Sequence, residues 1–417
     1  MFLTISNHFL TELMFNSKEV KTKKYILISC LLLNLIILGA FKYFNFFSDG
    51  IQQLFALLGF NLDVPTISIL LPLGLSFFIF QTSSYIIDVF RGVATPEKSF
   101  INFATFVVYF PHMAAGPIMP ARVLLPQISA IKVKLNAEMF QSACFLIVIG
   151  LFRKIVIADT LAPMVNRILG NPSSFDWKAI LLATIGFGLQ IYGDFAGYSS
   201  MARGVSRLFG IEMMVNFRQP YLATSITEFW RRWHISLSTW FRDYLYIPLG
   251  GNKGKSLRTY LNLMIVMVIA GLWHGAAIGF LFWGLLHGLF LVLDKFARKA
   301  SFEFNLPRWI SGLSGWLVTQ VCVFFAWIFF RNPDLSDALY VITSIFERRG
   351  GMFEISDGLL IVAAMVTSFS MDLAEVHLGS KIRIGKPLVK GLLLGSLILA
   401  VTVMKSSTII PFIYFRF

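Results

Sequence analysis

Acidic side chains are scarce in this sequence. Asp and Glu number 22 in 417 residues, and charged residues of both signs make up only 14%, against about 25% in an ordinary soluble chain. That excludes a disordered chain and a coiled coil, both of which need charge on their solvent faces. Cysteine is scarcer still. Cys30, Cys144 and Cys322 each sit in an apolar run with no CxxC or Cys/His spacing, which excludes a disulfide scaffold, and buried, inert thiols are expected. The chain also lacks a basic start and a small-residue cleavage site after a short apolar region, so a cleavable signal peptide is not expected.

What is present is apolar surface. Residues of the set A, V, I, L, M, F, W, Y and C make up 56%, and Phe alone contributes 43. A soluble core of this length cannot hide so much, which excludes a cytosolic enzyme. The fold class is therefore an all-α polytopic membrane protein. Candidate spans cover residues 25–44, 65–87, 139–157, 177–197, 260–276, 277–293, 309–330, 357–372 and 391–404. The apolar stretch 101–120 is broken by Pro and Gly, and such backbone survives at membrane depth only inside protein or along a cavity. Two regions are expected: residues 1–24 as an interfacial segment and 25–417 as one integral domain.

Lys and Arg number 36, for a net charge of +14. In a membrane protein this marks cytoplasmic loops facing anionic lipid rather than nucleic-acid binding. Basic clusters at 18–24, 91–98, 122–134, 203–258, 295–308 and 381–390 are expected inside. The acidic stretch 48–63 and the segment 331–357, with a net charge of −2, are expected outside. The loop 197–258 carries the largest basic excess. Its aromatics are interleaved with the cations, and a helix start is expected at Thr227 and Glu228. Such a segment lies at the interface or re-enters the membrane.

The uncharged stretch 259–293 follows, with GLWHGA and LLHG. An ionisable group at that depth is a functional-site candidate by default. His274 reads equally as a functional group or as a structural donor to a neighbouring helix, whereas His287 reads as packing. Competing motifs fail. GGNKGKS has Leu249 where a phosphate-binding loop needs its first Gly. No G-x-S-x-G elbow occurs. His234, His274 and His287 have no metal-ligand spacing, so no metal is expected.

The run from IYGDFAGYSS through WRRWHISLS to GLWHG and LLHG, residues 191–288, closely resembles the core of the membrane-bound O-acyltransferase (MBOAT) family. The subgroup is that of bacterial alginate and peptidoglycan O-acetyltransferase membrane subunits and the teichoic acid D-alanyl transfer protein. FPHMAAGPIMPARVLLPQI and LLPLGLSFFIFQTSSYIIDVFRG are similar to upstream segments of it. The resemblance departs at the start of the chain, where family members carry further apolar helices ahead of the segment matching residues 25–44. It implies a ring of tilted transmembrane helices around a central tunnel with re-entrant segments. It also implies a multi-pass protein of the bacterial inner (cytoplasmic) membrane.

The resemblance implies roles as well. His274 matches the family's intramembrane histidine, and His234 matches a second polar position. The implied activity moves an acyl group, foremost acetyl, from a cytoplasmic thioester such as acetyl-CoA to an extracytoplasmic polysaccharide, peptidoglycan or alginate-like. A separate extracytoplasmic acyltransferase is the implied partner, with no bound cofactor. Acyl transfer needs a base for the hydroxyl proton and stabilisation of an oxyanion, and imidazole suits the first task. Arg231, Arg232, Lys253, Lys255 and Arg258 are candidates to hold the donor's phosphates, or to anchor the loop by charge alone. A transporter or lipid-linked-sugar flippase is the alternative, although the internal repeats that many transporters show are absent.

Overall fold

In a computed structural model the described residues are 1–60, 72–113, 115–130, 136–299, 307–378, 387–405 and 410–413. The start of the candidate span 65–87 lies outside them, as do parts of the basic clusters 122–134, 295–308 and 381–390. The described residues form helices and no strand, beyond one isolated bridge between Phe175 and Met352.

The helices are α1 (Phe2–Asn16), α2 (Val20–Leu38), α3 (Phe44–Leu57), α4 (Leu75–Phe90), α5 (Phe100–Val107), α6 (Phe110–Met113), α7 (Ala121–Ser129), α8 (Ala137–Phe152), α9 (Thr160–Gly170) and α10 (Trp177–Leu208). They continue with α11 (Ile226–Arg232), α12 (Ile235–Phe241), α13 (Ser256–His274), α14 (Ile278–Lys299), α15 (Arg308–Arg331), α16 (Leu335–Phe346), α17 (Ile355–Leu378) and α18 (Pro387–Met404). Short π-helical turns occupy Gly39–Tyr43, Arg153–Asp159 and Arg242–Tyr246. Six stretches are long and apolar enough to cross a bilayer: Val20–Leu57, Trp177–Leu208, Ser256–His274, Ile278–Lys299, Trp309–Arg331 and Ile355–Leu373.

Helix α10 is buried along most of its length and packs on α8, α9, α15, α16 and α17. At 32 residues it is about 48 Å long, well beyond a bilayer core of about 30 Å. The expected span 177–197 thus continues through Leu208. Small residues such as Gly197, Ser199, Ser200, Ala202 and Gly204 are buried and let α10 stay helical against α8. The segment 331–357, expected as a plain outer loop, contains α16. The stretch 101–120 is broken into α5, α6 and irregular backbone, with Phe103, Phe106, Ala115, Ile118 and Met119 buried.

Several charges at membrane depth are paired with one another. Arg153 lies 3.3 Å from Asp372 of α17, which also accepts from the Tyr192 hydroxyl at 2.8 Å. Lys154 bridges Asp159 at 2.7 Å and Asp194 at 2.9 Å. The other Asp194 oxygen accepts from the Ile413 backbone at 2.6 Å. Pairing of this kind is what makes such groups tolerable away from water.

Helices α13 and α14 form a tight antiparallel hairpin. A Cβ on Gly271 would fall 2.2 Å from the Phe280 carbonyl oxygen, and one on Gly284 would fall 2.3 Å from that of Met267. Only glycine lets the two backbones approach so closely, a common device between membrane helices. One end of the hairpin is basic. There Lys299 donates to Ser256 at 2.7 Å and Lys295 to Asn252 at 2.5 Å. The other end is the turn at Gly275–Ala277, and α13 ends on His274.

Candidate active site at the hairpin turn

The segment between α10 and α13 enters the bundle. Ser225 caps α11, its hydroxyl accepting from the Glu228 backbone at 3.2 Å, while Glu228 accepts from the Thr224 backbone and hydroxyl at 2.8 and 2.9 Å. The Ser225 hydroxyl satisfies an orphan donor of the first turn, and the helix starts at Ile226, one residue before the expected Thr227. Thr227 ties this turn to α14, its backbone and hydroxyl donating to Asp294 at 3.0 and 2.5 Å. Farther along, Phe229 and Trp233 are fully buried.

His234 is the junction of α11 and α12. Its backbone is left-handed, at φ 42° and ψ 54°, a conformation uncommon outside glycine and found at strained functional positions. Asn216 holds the junction. Its backbone carbonyl accepts from Ile235 at 2.9 Å, and its side-chain oxygen accepts from Ser236 at 3.1 and 2.9 Å. His234 is fully buried, edge-on to Phe195 at 4.6 Å and 6.3 Å from the Trp273 ring.

His274 comes to the same place from the hairpin. Its ring centroid lies 5.0 Å from each of Trp273, Trp283 and Phe330. Edge-to-face contacts of this type contribute about 0.5–1.5 kcal/mol each, so the imidazole is held by aromatic walls. Trp273 is thus a ring neighbour of both His234 and His274. His287 is also fully buried, 4.8 Å from Trp283 and 5.1 Å from Trp230.

A cavity of about 460 Å³ opens at the basic end, lined by residues including Thr224, Thr227, Glu228, Arg231, Asp294 and Arg298. Asp294, His287 and Trp283 follow one another along α14 at spacings of seven and four residues, on one helix face. That face runs from the cavity toward His274.

The five candidate donor-binding cations divide. Arg231 lines the cavity. Arg232 is bonded to Glu228 at 2.7 Å and to the carbonyls of Arg218 and Gln219 at 3.4 Å. Arg258 holds the Leu249 carbonyl at 3.1 Å. Lys253 and Lys255 are exposed on the turn before α13. Burial pushes the Glu228 carboxyl up, but Thr224 and Arg232 outweigh it and hold the group below the usual carboxylate range. No cluster of three or more His, Cys, Asp or Glu positioned for a metal occurs among the described residues.

Asn216, Arg298 and Lys42 were not singled out from the sequence. Lys42 donates to the carbonyls of Trp273, at 2.5 Å, and of His274, at 3.2 Å. A lone cation inside the apolar run 25–44 is the signal that would have marked it.

Comparison with known proteins decides the family, since the MBOAT, membrane-bound O-acyltransferase family matches residues 94–331. The chain belongs to the membrane-bound O-acyltransferase family. A probable alginate O-acetylase of Pseudomonas aeruginosa is 39% identical over 355 residues, covering 82% of this chain and 66% of that protein. A peptidoglycan O-acetyltransferase of Helicobacter pylori is 34% identical over 377 residues, covering 83% and 69%. A teichoic acid D-alanyltransferase of Bacillus subtilis is 27% identical over 281 residues, covering 63% and 69%. The chain spans less than two thirds of the length of the alginate O-acetylases it matches. This MBOAT protein is thus a multi-pass membrane protein, and the matched region contains both His234 and His274.

Proposed function

We propose that this MBOAT protein is an O-acyltransferase that moves an acetyl group from a cytoplasmic thioester such as acetyl-CoA across the membrane, for O-acetylation of an extracytoplasmic polysaccharide. The observation that carries the reading is that His234 and His274, from two different segments, both pack against the Trp273 ring inside a chain of this family. The names of the relatives support peptidoglycan or an alginate-like polymer as the destination. Family membership favours transfer chemistry over a transporter or flippase. The membrane is the bacterial inner membrane, and a separate extracytoplasmic acyltransferase receives the group.

His274 acts as general base. It takes the proton of the acceptor hydroxyl as that oxygen bonds to the thioester carbonyl carbon. The C–S bond then breaks, and the leaving thiolate takes the proton from the imidazolium. His234, the second imidazole beside Trp273, orients or polarises the thioester carbonyl. Arg231 and Arg298 hold donor phosphates in the cavity at the basic end, and Lys253 and Lys255 add positive potential at its rim.

The test is transfer of labelled acetyl from acetyl-CoA by purified, membrane-inserted protein. General-base removal costs about 10²–10⁴-fold in rate, so His274→Ala is expected to fall by that much while remaining folded. His234→Ala should be intermediate. His287→Phe, which keeps the aromatic packing, should be mild. Near wild-type turnover by His274→Ala would remove the base assignment.

A further inference from the structure

Three of the last four carbonyls of α13 are capped from one side, by two residues of the π turn at Gly39–Tyr43. Lys42 donates to the carbonyls of Trp273 and His274, and the Tyr43 hydroxyl donates to that of Leu272 at 2.7 Å. The Lys42 ammonium also lies 5.9 Å from the centre of the Trp273 ring. A helix leaves its last four carbonyls without partners, and at membrane depth water is scarce to supply them. The π turn, a local widening of the helix often found at functional sites, brings both Lys42 and Tyr43 to the same helix end.

The electrostatic consequence is larger than the capping. The C-terminus of a helix carries about half a negative charge. Here that end is His274 itself, the place where the thioester oxygen gains negative charge in the proposed reaction. Left alone, the carbonyls of α13 would oppose that step. A full positive charge on the same carbonyls reverses the sign of the local potential. Tyr43 satisfies a carbonyl equally well but adds no charge.

We infer that Lys42 is a positioning residue for acyl transfer: it fixes the helix end that presents His274 and turns the potential there from negative to positive. This rests on the reading of His274 as the base.

The experiment compares Lys42→Gln, Lys42→Arg, Tyr43→Phe and His274→Ala, all as full-length protein, for kcat and KM with acetyl-CoA and for thermal stability. Lys42→Gln keeps N–H donors for the carbonyls and loses the charge. Its kcat is expected to fall about 10–100-fold, below the loss seen for a direct oxyanion donor, with KM little changed. Lys42→Arg, which keeps the charge, should recover most of the rate. Tyr43→Phe should lower stability more than kcat. A Lys42→Gln kcat close to wild type, or a Tyr43→Phe loss as large as that of Lys42→Gln, would overturn the inference.

Where Lys42→Gln does not accumulate, Lys42→Cys is alkylated with 2-bromoethylamine to restore an ammonium, with wild type treated in parallel. A kcat that does not recover then overturns it equally. His274→Ala separates the two readings. An active His274→Ala removes the base, whereas an inactive one beside a fully active Lys42→Gln removes only the role of Lys42.

Discussion

The Nδ1 of His234 lies 3.2 Å from Oδ1 of Asn216, and that contact sets the roles of the two ring nitrogens. Asn216 donates through Nδ2 to Ser199 at 3.3 Å. Its Oδ1 accepts from the backbone and hydroxyl of Ser236. Oδ1 is therefore an acceptor toward His234 too. Nδ1 carries the hydrogen in the neutral ring, and Nε2 carries a lone pair. Nε2 is buried with no hydrogen-bond partner among the described residues, which suits contact with a substrate.

Asn216→Ala releases that tautomer. Loss of an orienting partner typically costs about 10–100-fold in function where it has been measured at metal-bound histidines, and a fall of that order in acetyl transfer is expected. His234→Asn should fold better than His234→Val, because asparagine enters the left-handed region readily whereas a β-branched residue does not. Folded yield and kcat per folded molecule check both.

At the basic end, Arg231→Ala and Arg298→Ala should each raise KM for acetyl-CoA about 10-fold, the effect of one hydrogen bond to a charged group. Lys253→Ala should raise it by less, and its effect should fade at high salt, since exposed charges are screened. Arg232→Ala should instead lower stability, because its guanidinium holds Glu228 and two carbonyls. Steady-state kinetics with thermal unfolding separate the three outcomes.

Gly271→Ala puts a methyl group 2.2 Å from a carbonyl oxygen of the facing helix. The hairpin must open to accept it, at a cost of about 1–3 kcal/mol by the usual scale of overpacking. His274, three residues on, moves with the helix. Lower thermal stability together with a loss of kcat is expected, while exposed Leu261→Ala on the same helix should cost far less of either.

Glu228 gives a pH signature. Its carboxyl titrates below the usual range in the folded protein, so the unfolded chain binds the proton more readily. Stability from the α11 cap is complete above the ordinary Glu value of about 4.3 and is lost as pH falls through the folded value. Thermal unfolding of Glu228→Gln across pH 3–6 should lack this component.

Much of this architecture is legible in the linear chain, because lipid demands long apolar runs and tolerates charge only with a purpose. The hairpin around GLWHG and the broken stretch 101–120 both follow from that demand. What escaped are contacts between backbone and distant side chains. Lys42 acts on carbonyls more than 230 residues away, and carbonyls carry no sequence signature. Asn216 was hidden for a related reason: its amide reads as loop polarity until Ser199, His234 and Ser236 converge on it. The basic residues of the loop look alike in sequence, and only folding sends Arg231 to the cavity and Arg232 to Glu228.

Arg153 and Asp372 are separated by 219 residues, which has a consequence for biogenesis. As the chain is synthesised, Arg153 reaches the bilayer well before its partner on α17 exists. The Arg153–Asp372 pair therefore closes only once the C-terminal third of the protein has been made, whereas Lys154 and Asp194 are joined by a shorter stretch of chain. A nascent chain halted ahead of α17 should leave α8 open to quality-control proteases, and one halted after it should not.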